Sequence, residues 1–369
     1  MIIEPVSSVH DNFPKPDHAS KPSTFLRYIH NFRCLAILAI VAGHVIDYMH
    51  WESHSKLYVF SSVILQNGTV YFIFIAGFLF QFLSRKYEYK NYLTKKLQYV
   101  ILPYILISIP AIVLCIVLKN HFMPEWFVAR FPGLATWQEV AMLYLTGAHL
   151  RPFWFMPMIA LFYVASPVLL WMDRHPKTYL SLPFLLALSV IVPRPYNDDD
   201  TLTAFIHFFS VYLLGMFSCH FKERIAKVMN FLWILLLAIA IVLILLETAI
   251  SSEPFDTPIF INVLSKSALC FVLIYFLQRL DSRIPKALHR LMSLLADLSF
   301  GIFFLHCYFL EAYFHVASNV HFLGSDTRWV QANPLLFFML FLFTVYICVV
   351  LIVEIRKVLG KRSRFILGC

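Results

Sequence analysis

The chain has 369 residues, of which 60% are hydrophobic and only 14% are charged. A soluble domain is closer to half apolar and a quarter charged, so this composition excludes an ordinary soluble globule and favours a polytopic membrane protein. The formal net charge of +9 comes from short basic clusters between apolar runs. That placement indicates membrane topology and contact with anionic lipid, and we expect no nucleic-acid partner.

Ten apolar segments approach the roughly 20 helical residues that a span of the hydrocarbon core needs. We therefore predict an all-α polytopic membrane protein with about ten transmembrane helices, the fifth of which is the shortest. The segments are 32–50, 62–84, 97–118, 153–172, 178–193, 202–220, 229–248, 258–278, 295–316 and 334–355.

Lys and Arg alternate strongly between the two sides of these spans. Of the 30 basic residues, 23 fall on the side of the N-terminus, six fall on the other side, and Lys266 lies within a span. Because cytoplasmic loops collect positive charge, both termini are predicted to be cytoplasmic. We expect a polar N-terminal segment, 1–31, with no cleaved signal peptide, one membrane domain, 32–355, and a basic cytoplasmic tail, 356–369.

The first span, "RCLAILAIVAGHVIDYMH", carries a stripe of polar residues. Arg33 and His44 are 11 residues apart, which places them on one helix face about 16 Å apart along the axis. Asp47 follows His44 at i+3, within reach of its ring. A histidine near mid-membrane that is oriented by a carboxylate is typical of a general base. The alternative is a histidine that only bonds between helices, with Arg33 marking the membrane interface.

The ninth span, "LSFGIFFLHCYFLEAYFH", places His306 at about the same depth as His44, so the two rings meet if these helices are neighbours. Glu311 lies further out, about 140° round the helix from His306, and is a weaker candidate. Lys266, in the eighth span, either pairs with Glu311 or Asp47 or extends outward to water.

Each membrane rim offers one further candidate group. Arg151 and Trp154, in "HLRPFWFMPMIALFY", are either interfacial anchors or an outer rim that binds a sugar. Lys95 and Lys96 lie in a basic inner hairpin that suits either anionic lipid or the phosphates of coenzyme A. The seven cysteines include no CxxC, so we predict neither a disulfide framework nor a metal site.

Five stretches, in order, resemble the integral-membrane acyltransferase family three. Arg33 and His44 match its Arg-x10-His signature within "FRCLAILAIVAGHV". "VYFIFIAGFLF" resembles its second helix, "KKLQYVILPY" the basic start of its third, "FWFMPMIALFY" its Trp-Phe segment and "LSFGIFFLHCYFLE" its late Ser-x-Gly-Ile-x-x-x-His segment. The resemblance covers nearly the whole chain.

The resemblance implies a ten-helix core that passes an acyl group from a cytosolic donor, usually acetyl-CoA, to an acceptor at the outer face. By position, His44 is its catalytic histidine and Arg33 the signature partner on the donor side. Two positions depart from the family: Ala76 replaces a serine, and Tyr99 replaces the second cation of an Arg-x-x-Arg pattern. The chain resembles stand-alone members associated with exopolysaccharide or common-antigen modification in the bacterial inner membrane.

The leading hypothesis is O-acyl transfer, most simply of acetyl, to a hydroxyl of a surface glycan or lipid-linked sugar. His44 acts as general base or as a transient acyl carrier, and Asp47 orients its ring. Arg33, Lys95 and Lys96 hold acyl-CoA, the co-substrate. His306, Arg151, Trp154, Glu311 and Lys266 line the acceptor path. The rivals are a proton-coupled transporter or exporter, and an inactive scaffold within glycan-assembly machinery.

Overall fold

The computed structural model describes residues 24–51, 55–118, 123–192, 200–251, 259–322 and 331–369. The polar N-terminal segment therefore lies largely outside the described residues. Within them the chain forms sixteen α-helices and no β-strand. The helices are α1 (Thr24–Asp47), α2 (Lys56–Leu65), α3 (Thr69–Leu83), α4 (Tyr89–Lys96), α5 (Leu102–Val117), α6 (Glu125–Arg130), α7 (Thr136–Thr146), α8 (Phe155–Val164), α9 (Ser166–Arg174), α10 (Leu182–Ile191), α11 (Thr201–His220), α12 (Lys222–Ile250), α13 (Ile259–Leu280), α14 (Lys286–Phe322), α15 (Pro334–Leu359) and α16 (Ser363–Leu367).

Eight helical segments of the described residues are long and apolar enough to cross a membrane, and they correspond to eight of the ten predicted spans. They are Arg27–Asp47, Lys56–Lys86, Tyr89–Val117, Thr201–His220, Lys222–Ile250, Ile261–Leu280, Lys286–Ala317 and Pro334–Leu367. The all-α, multi-pass membrane architecture is thus confirmed. The count of ten spans and the cytoplasmic termini stay predictions.

The fourth and fifth predicted spans depart from simple helices. In the fourth, α8 and α9 meet at an angle of 54°. Pro167 explains this bend, because proline has no N–H and its ring crowds the carbonyl four residues back, that of Tyr163. The hydroxyl of Ser166 donates to that same carbonyl at 2.6 Å. It thus replaces the backbone N–H that proline lacks. The fifth, Pro176–Ile191, is an apolar helix shorter than the other spans.

The helices differ sharply in how much of their apolar surface is buried by protein. In the hydrophobic window of α1, 67% of the residues are buried, against only 11% in α12 and 17% in the segment of α15. Because lipid can cover apolar surface as well as protein can, α12 and α15 lie at the periphery. Helices α1, α3, α11 and α14 contribute to one continuous core, in which α1 packs against both α3 and α14.

Two glycines allow α3 and α11 to pack with their backbones almost touching. A β-carbon on Gly77 would lie 2.0 Å from the carbonyl oxygen of Tyr212, and one on Gly215 would lie 2.1 Å from that of Phe74. Small residues permit this close approach between membrane helices. The Gly-Phe pair of the second-helix motif, Gly77 and Phe78, therefore has a packing role.

We expect Gly77→Ala to destabilise the protein by about 3 kcal/mol or more, since the clash is with backbone and no side chain can rotate away. The measurement is the yield of monodisperse protein and its thermal midpoint in detergent. Leu83→Ala, on the same helix but 60% exposed, is the control and should stay near wild type. A Gly77→Ala protein as stable as the control would contradict the close packing.

Candidate functional site

Two histidines from separate helices meet inside the bundle. Their matched depths predicted this meeting on the condition that the two helices are neighbours. The rings of His44 on α1 and His306 on α14 have centroids 5.3 Å apart and are tilted by 43°. His306 is completely buried, whereas the side chain of His44 is 21% exposed. The position of His44 therefore leaves it the more accessible of the two imidazoles.

Asp47 lies beside His44, and a third residue holds it in place. Its Oδ2 is 3.7 Å from Nδ1 of His44, within ion-pair range but too long for a direct hydrogen bond. The side-chain amide of Gln66 donates to Oδ1 at 2.8 Å. Gln66 follows α2 at the break before α3, where Asn67 takes a positive φ of 59°. This break was not foreseen in the sequence, and it adds Gln66 to the site.

The hydrogen bonds of His306 define its tautomer. Its Nδ1 lies 2.9 Å from the carbonyl oxygen of Ile302, so that nitrogen carries the proton and Nε2 is the acceptor in the neutral ring. The sulfur of Cys307 lies 3.3 Å from Nε2. One donor atom each from His44, His306 and Cys307 lies within 4.8 Å of the other two. The sequence predicted no metal site, since it could not show that Cys307 would join two histidines.

Towards the predicted outer face, Tyr48 connects Arg151 and Glu311. The Tyr48 hydroxyl donates to Oε2 of Glu311 at 2.6 Å, and the Arg151 guanidinium lies 5.2 Å from the centre of the Tyr48 ring. Arg151 and Glu311 both border this rim, and Tyr48 was not foreseen.

Trp154 is buried inside the bundle, and its predicted place on the acceptor path stays a prediction. It is 5% exposed, and its ring stacks on Phe208 of α11 with centroids 5.9 Å apart. The 3₁₀ turn Arg151–Trp154 rotates the chain so that Arg151 faces out while Trp154 points into the core. Trp154 thus packs two helices together.

Lys266 also departs from its predicted role. Its side chain is completely buried, so it does not extend to water, and its ammonium donates to the carbonyls of Val63, at 3.0 Å, and Ile64. These carbonyls end α2, where a cation complements the helix dipole and satisfies groups without helical partners. Buried Glu247 lies nearby and accepts from Asn262 at 3.2 Å. Lys266 therefore stabilises the junction of α2, α12 and α13.

A basic cavity of about 730 Å³ opens at the predicted cytoplasmic end of α1. Four permanent cations line it, two from α1 and two from the first turns of α14: Arg27, Arg33, Lys286 and Arg290. Its other polar lining residues include His30, His289 and Asp297. Arg33 is fixed there because its guanidinium donates twice to the hydroxyl of Ser299, at 3.2 and 2.9 Å.

The two lysines predicted to hold the donor do not line this cavity. Lys95 is exposed, and the ammonium of Lys96 lies over the rings of Tyr163 and Tyr92, at 4.7 and 5.4 Å. In the sequence, Lys286 and Arg290 contributed only to the prediction of membrane orientation, although their i,i+4 spacing places both on one helix face.

At Tyr99, where the family pattern has its second cation, a cation comes from another part of the chain. The guanidinium of Arg364, on α16, lies 4.4 Å from the centre of the Tyr99 ring. Phe365 packs against the same ring, with centroids 5.4 Å apart. Positive charge is therefore retained at this position despite the substitution.

Comparison with known protein families gives a match over most of the chain. A family model described as an acyltransferase domain, acyltransferase family 3, matches residues 26–353, which include His44, His306 and the basic cavity. No curated protein and no solved structure gives a significant match.

Proposed function

From the premise that this chain belongs to acyltransferase family 3, and is thus a membrane acyltransferase, we propose that it acylates a hydroxyl of a cell-surface glycan or glycan precursor. The acyl group is acetyl in its simplest form, the donor is cytosolic acetyl-CoA, and the protein resides in a bacterial inner membrane. The observation that carries the proposal is the arrangement along α1. A basic cavity lies at one end of this helix, and His44, with the Asp47 carboxylate beside its ring, lies near the other end.

The basic cavity suits the phosphates of coenzyme A. Guanidinium and ammonium groups bind phosphate strongly, and four of them surround a volume of nucleotide size. Arg33 lies about 16 Å along the helix axis from His44. An extended donor that keeps its phosphates in the cavity can thus present its thioester at the histidines.

The chemistry requires a base at the acceptor hydroxyl. His44 removes the hydroxyl proton, and the oxygen attacks the thioester carbonyl. The bond to sulfur then breaks, and the imidazolium returns the proton to the departing thiolate. The Asp47 carboxylate, 3.7 Å from the ring, stabilises the imidazolium while it carries the charge.

The outer rim suits a sugar. Near Tyr48, Arg151 and Glu311, the ring of His50 stacks on Phe314 with centroids 5.5 Å apart, and Trp51 stacks on Tyr58 at 5.0 Å. Aromatic faces beside charged hydrogen-bonding groups are what a glycan needs from its site.

The test is mass spectrometry of surface glycans from a deletion strain, with and without the wild-type gene. We expect a short acyl ester to disappear on deletion and return on complementation, while glycan abundance stays constant. Loss of the glycan itself would support the exporter instead. A scaffold would be indicated if deletion removed the ester but His44→Ala restored it.

Asp47→Asn should lower kcat by roughly 10- to 100-fold and leave both KM values near wild type. Asparagine keeps the oxygen that Gln66 binds but removes the negative charge beside the His44 ring. Two unit charges about 4 Å apart attract each other by about 1 kcal/mol in water and about 4 kcal/mol near a protein surface, so the imidazolium loses stabilisation of that order. Steady-state kinetics in proteoliposomes, with acetyl-CoA varied, would measure this. Asp297→Asn, at the cavity wall, is the matched carboxylate control; a kcat loss there equal to that of Asp47→Asn would argue against a specific role.

A further inference from the structure

The three donor atoms of His44, His306 and Cys307 form a group that the acyl-transfer chemistry above does not use as a unit. They come from two helices and converge within 4.8 Å. His306 and Cys307 are completely buried, and His44 is the accessible member. We propose that this group binds a borderline or soft divalent metal ion such as Zn²⁺, and that the bound ion blocks acyl transfer.

The spacing fits a metal with little rearrangement. Tetrahedral Zn²⁺ with bonds of about 2.0–2.1 Å to nitrogen and 2.3 Å to sulfur needs donor atoms about 3.3–3.6 Å apart. The Nε2–Sγ distance of 3.3 Å between His306 and Cys307 already meets this. His44 has to approach by an ångström or so at most, which a rotation of its partly exposed ring can supply.

The protonation state of His306 is already correct for a ligand. Its Nδ1 proton is held by the Ile302 carbonyl, so the lone pair of Nε2 faces the cluster. A backbone or carboxylate partner on the far ring nitrogen is the usual support of a metal-bound histidine. The Cys307 thiol releases its proton when it binds the ion, as metal-bound thiols do.

Charge balance makes the ion tolerable inside the membrane. The two charges of Zn²⁺ are offset by the Cys307 thiolate and by the Asp47 carboxylate, which lies 3.7 Å from His44. Two imidazoles and a thiolate favour Zn²⁺, Co²⁺ or Cu ions over Mg²⁺ and Ca²⁺, which prefer oxygen. Three protein ligands also leave a fourth position open for water.

Metal binding and base catalysis need the same imidazole. A lone pair of His44 that is bonded to a metal cannot accept the proton of an acceptor hydroxyl, so we expect the ion to inhibit. The binding itself stands on the geometry alone, and only this inhibition rests on the proposed function.

The experiment titrates purified full-length protein with CoCl₂ and records its absorption spectrum. We expect an intense thiolate-to-cobalt band at one equivalent, which ZnCl₂ displaces, and at least about tenfold weaker binding in Cys307→Ala and in His306→Ala. Cys348→Ala is the control, since Cys348 is an equally buried membrane cysteine and should bind like wild type. No thiolate band in the wild type, or an unchanged band in Cys307→Ala, would overturn the site.

A second arm tests the consequence. ZnCl₂ should inhibit the wild type and Cys348→Ala, whereas Cys307→Ala should keep most of its own metal-free rate at the same concentration. If a chelator instead abolishes transfer by the wild type, the inhibitory role is wrong. If the cobalt band appears but no acyl transfer occurs under any condition, the metal site stands and the proposed function fails.

Discussion

His44→Ala is expected to lower acyl transfer by at least about 100-fold while the protein remains folded. General-base catalysis contributes roughly 10²–10⁴-fold, and alanine at this position leaves no group that can take the hydroxyl proton. His306 cannot substitute directly, because its one accepting nitrogen, Nε2, is already next to Cys307 in a completely buried position. The measurement is transfer of labelled acetyl from acetyl-CoA to glycan in membrane vesicles.

The matched control is His207→Ala. His207 is a completely buried membrane histidine on α11, with Nδ1 bonded to a backbone carbonyl, that of Val192, at 2.8 Å. Both variants lose one inward-facing imidazole, so a general packing effect would lower transfer in both. Equal losses at matched protein levels would contradict the catalytic role of His44, and so would full activity of His44→Ala.

A small change at the same position separates the two chemical roles of His44. His44→Gln keeps a polar side chain of similar length but can neither accept a proton at neutral pH nor carry an acyl group. If His44 is a carrier, brief incubation of the wild type with labelled acetyl-CoA alone should leave label on the protein. If His44 is a base, no label should remain without acceptor, and hydrolysis of acetyl-CoA should also fall in His44→Gln.

The features that could be predicted from the sequence are those set along a single helix. The i+3 spacing of His44 and Asp47 predicted their proximity, which the 3.7 Å separation confirms. Apolar length predicted ten spans, and eight of them correspond to helices of the described residues that are long and apolar enough to cross a membrane. His44 and His306 lie at similar distances from the predicted cytoplasmic starts of their helices, which predicted a similar depth in the membrane. Their meeting depended in addition on the packing of α1 against α14.

The features that could not be predicted from the sequence depend on how a helix is rotated about its axis. Depth alone placed Trp154 at the rim, yet a 3₁₀ turn points it at Phe208. The sequence suggested Asp47 or Glu311 as a carboxylate partner of Lys266, but its ammonium instead binds backbone carbonyls at the end of α2. Cys307 adjoins His306 in the chain, but its meeting with His44 depends on the packing of α1 against α14.

The second large effect is expected at the donor cavity. The double variant Lys286→Ala/Arg290→Ala should raise the KM for acetyl-CoA by roughly 10- to 100-fold and change kcat by less than about threefold. Both cations are exposed, so solvent screening limits each contact with phosphate to about 1 kcal/mol, and tenfold corresponds to 1.4 kcal/mol. The two residues lie about 20 Å or more along α14 from His306, so the reacting atoms should be unaffected.

A donor without phosphates sharpens this test. S-acetylpantetheine keeps the thioester and its arm but lacks the nucleotide, so it should be used poorly by the wild type and no worse by the double variant. Lys361→Ala/Arg362→Ala removes two exposed cations from the same predicted side and leaves the cavity intact. If both double variants raise the KM for acetyl-CoA equally, the attraction is diffuse surface charge. If Lys286→Ala/Arg290→Ala also raises the KM for S-acetylpantetheine, these two residues do not bind the phosphates of the donor.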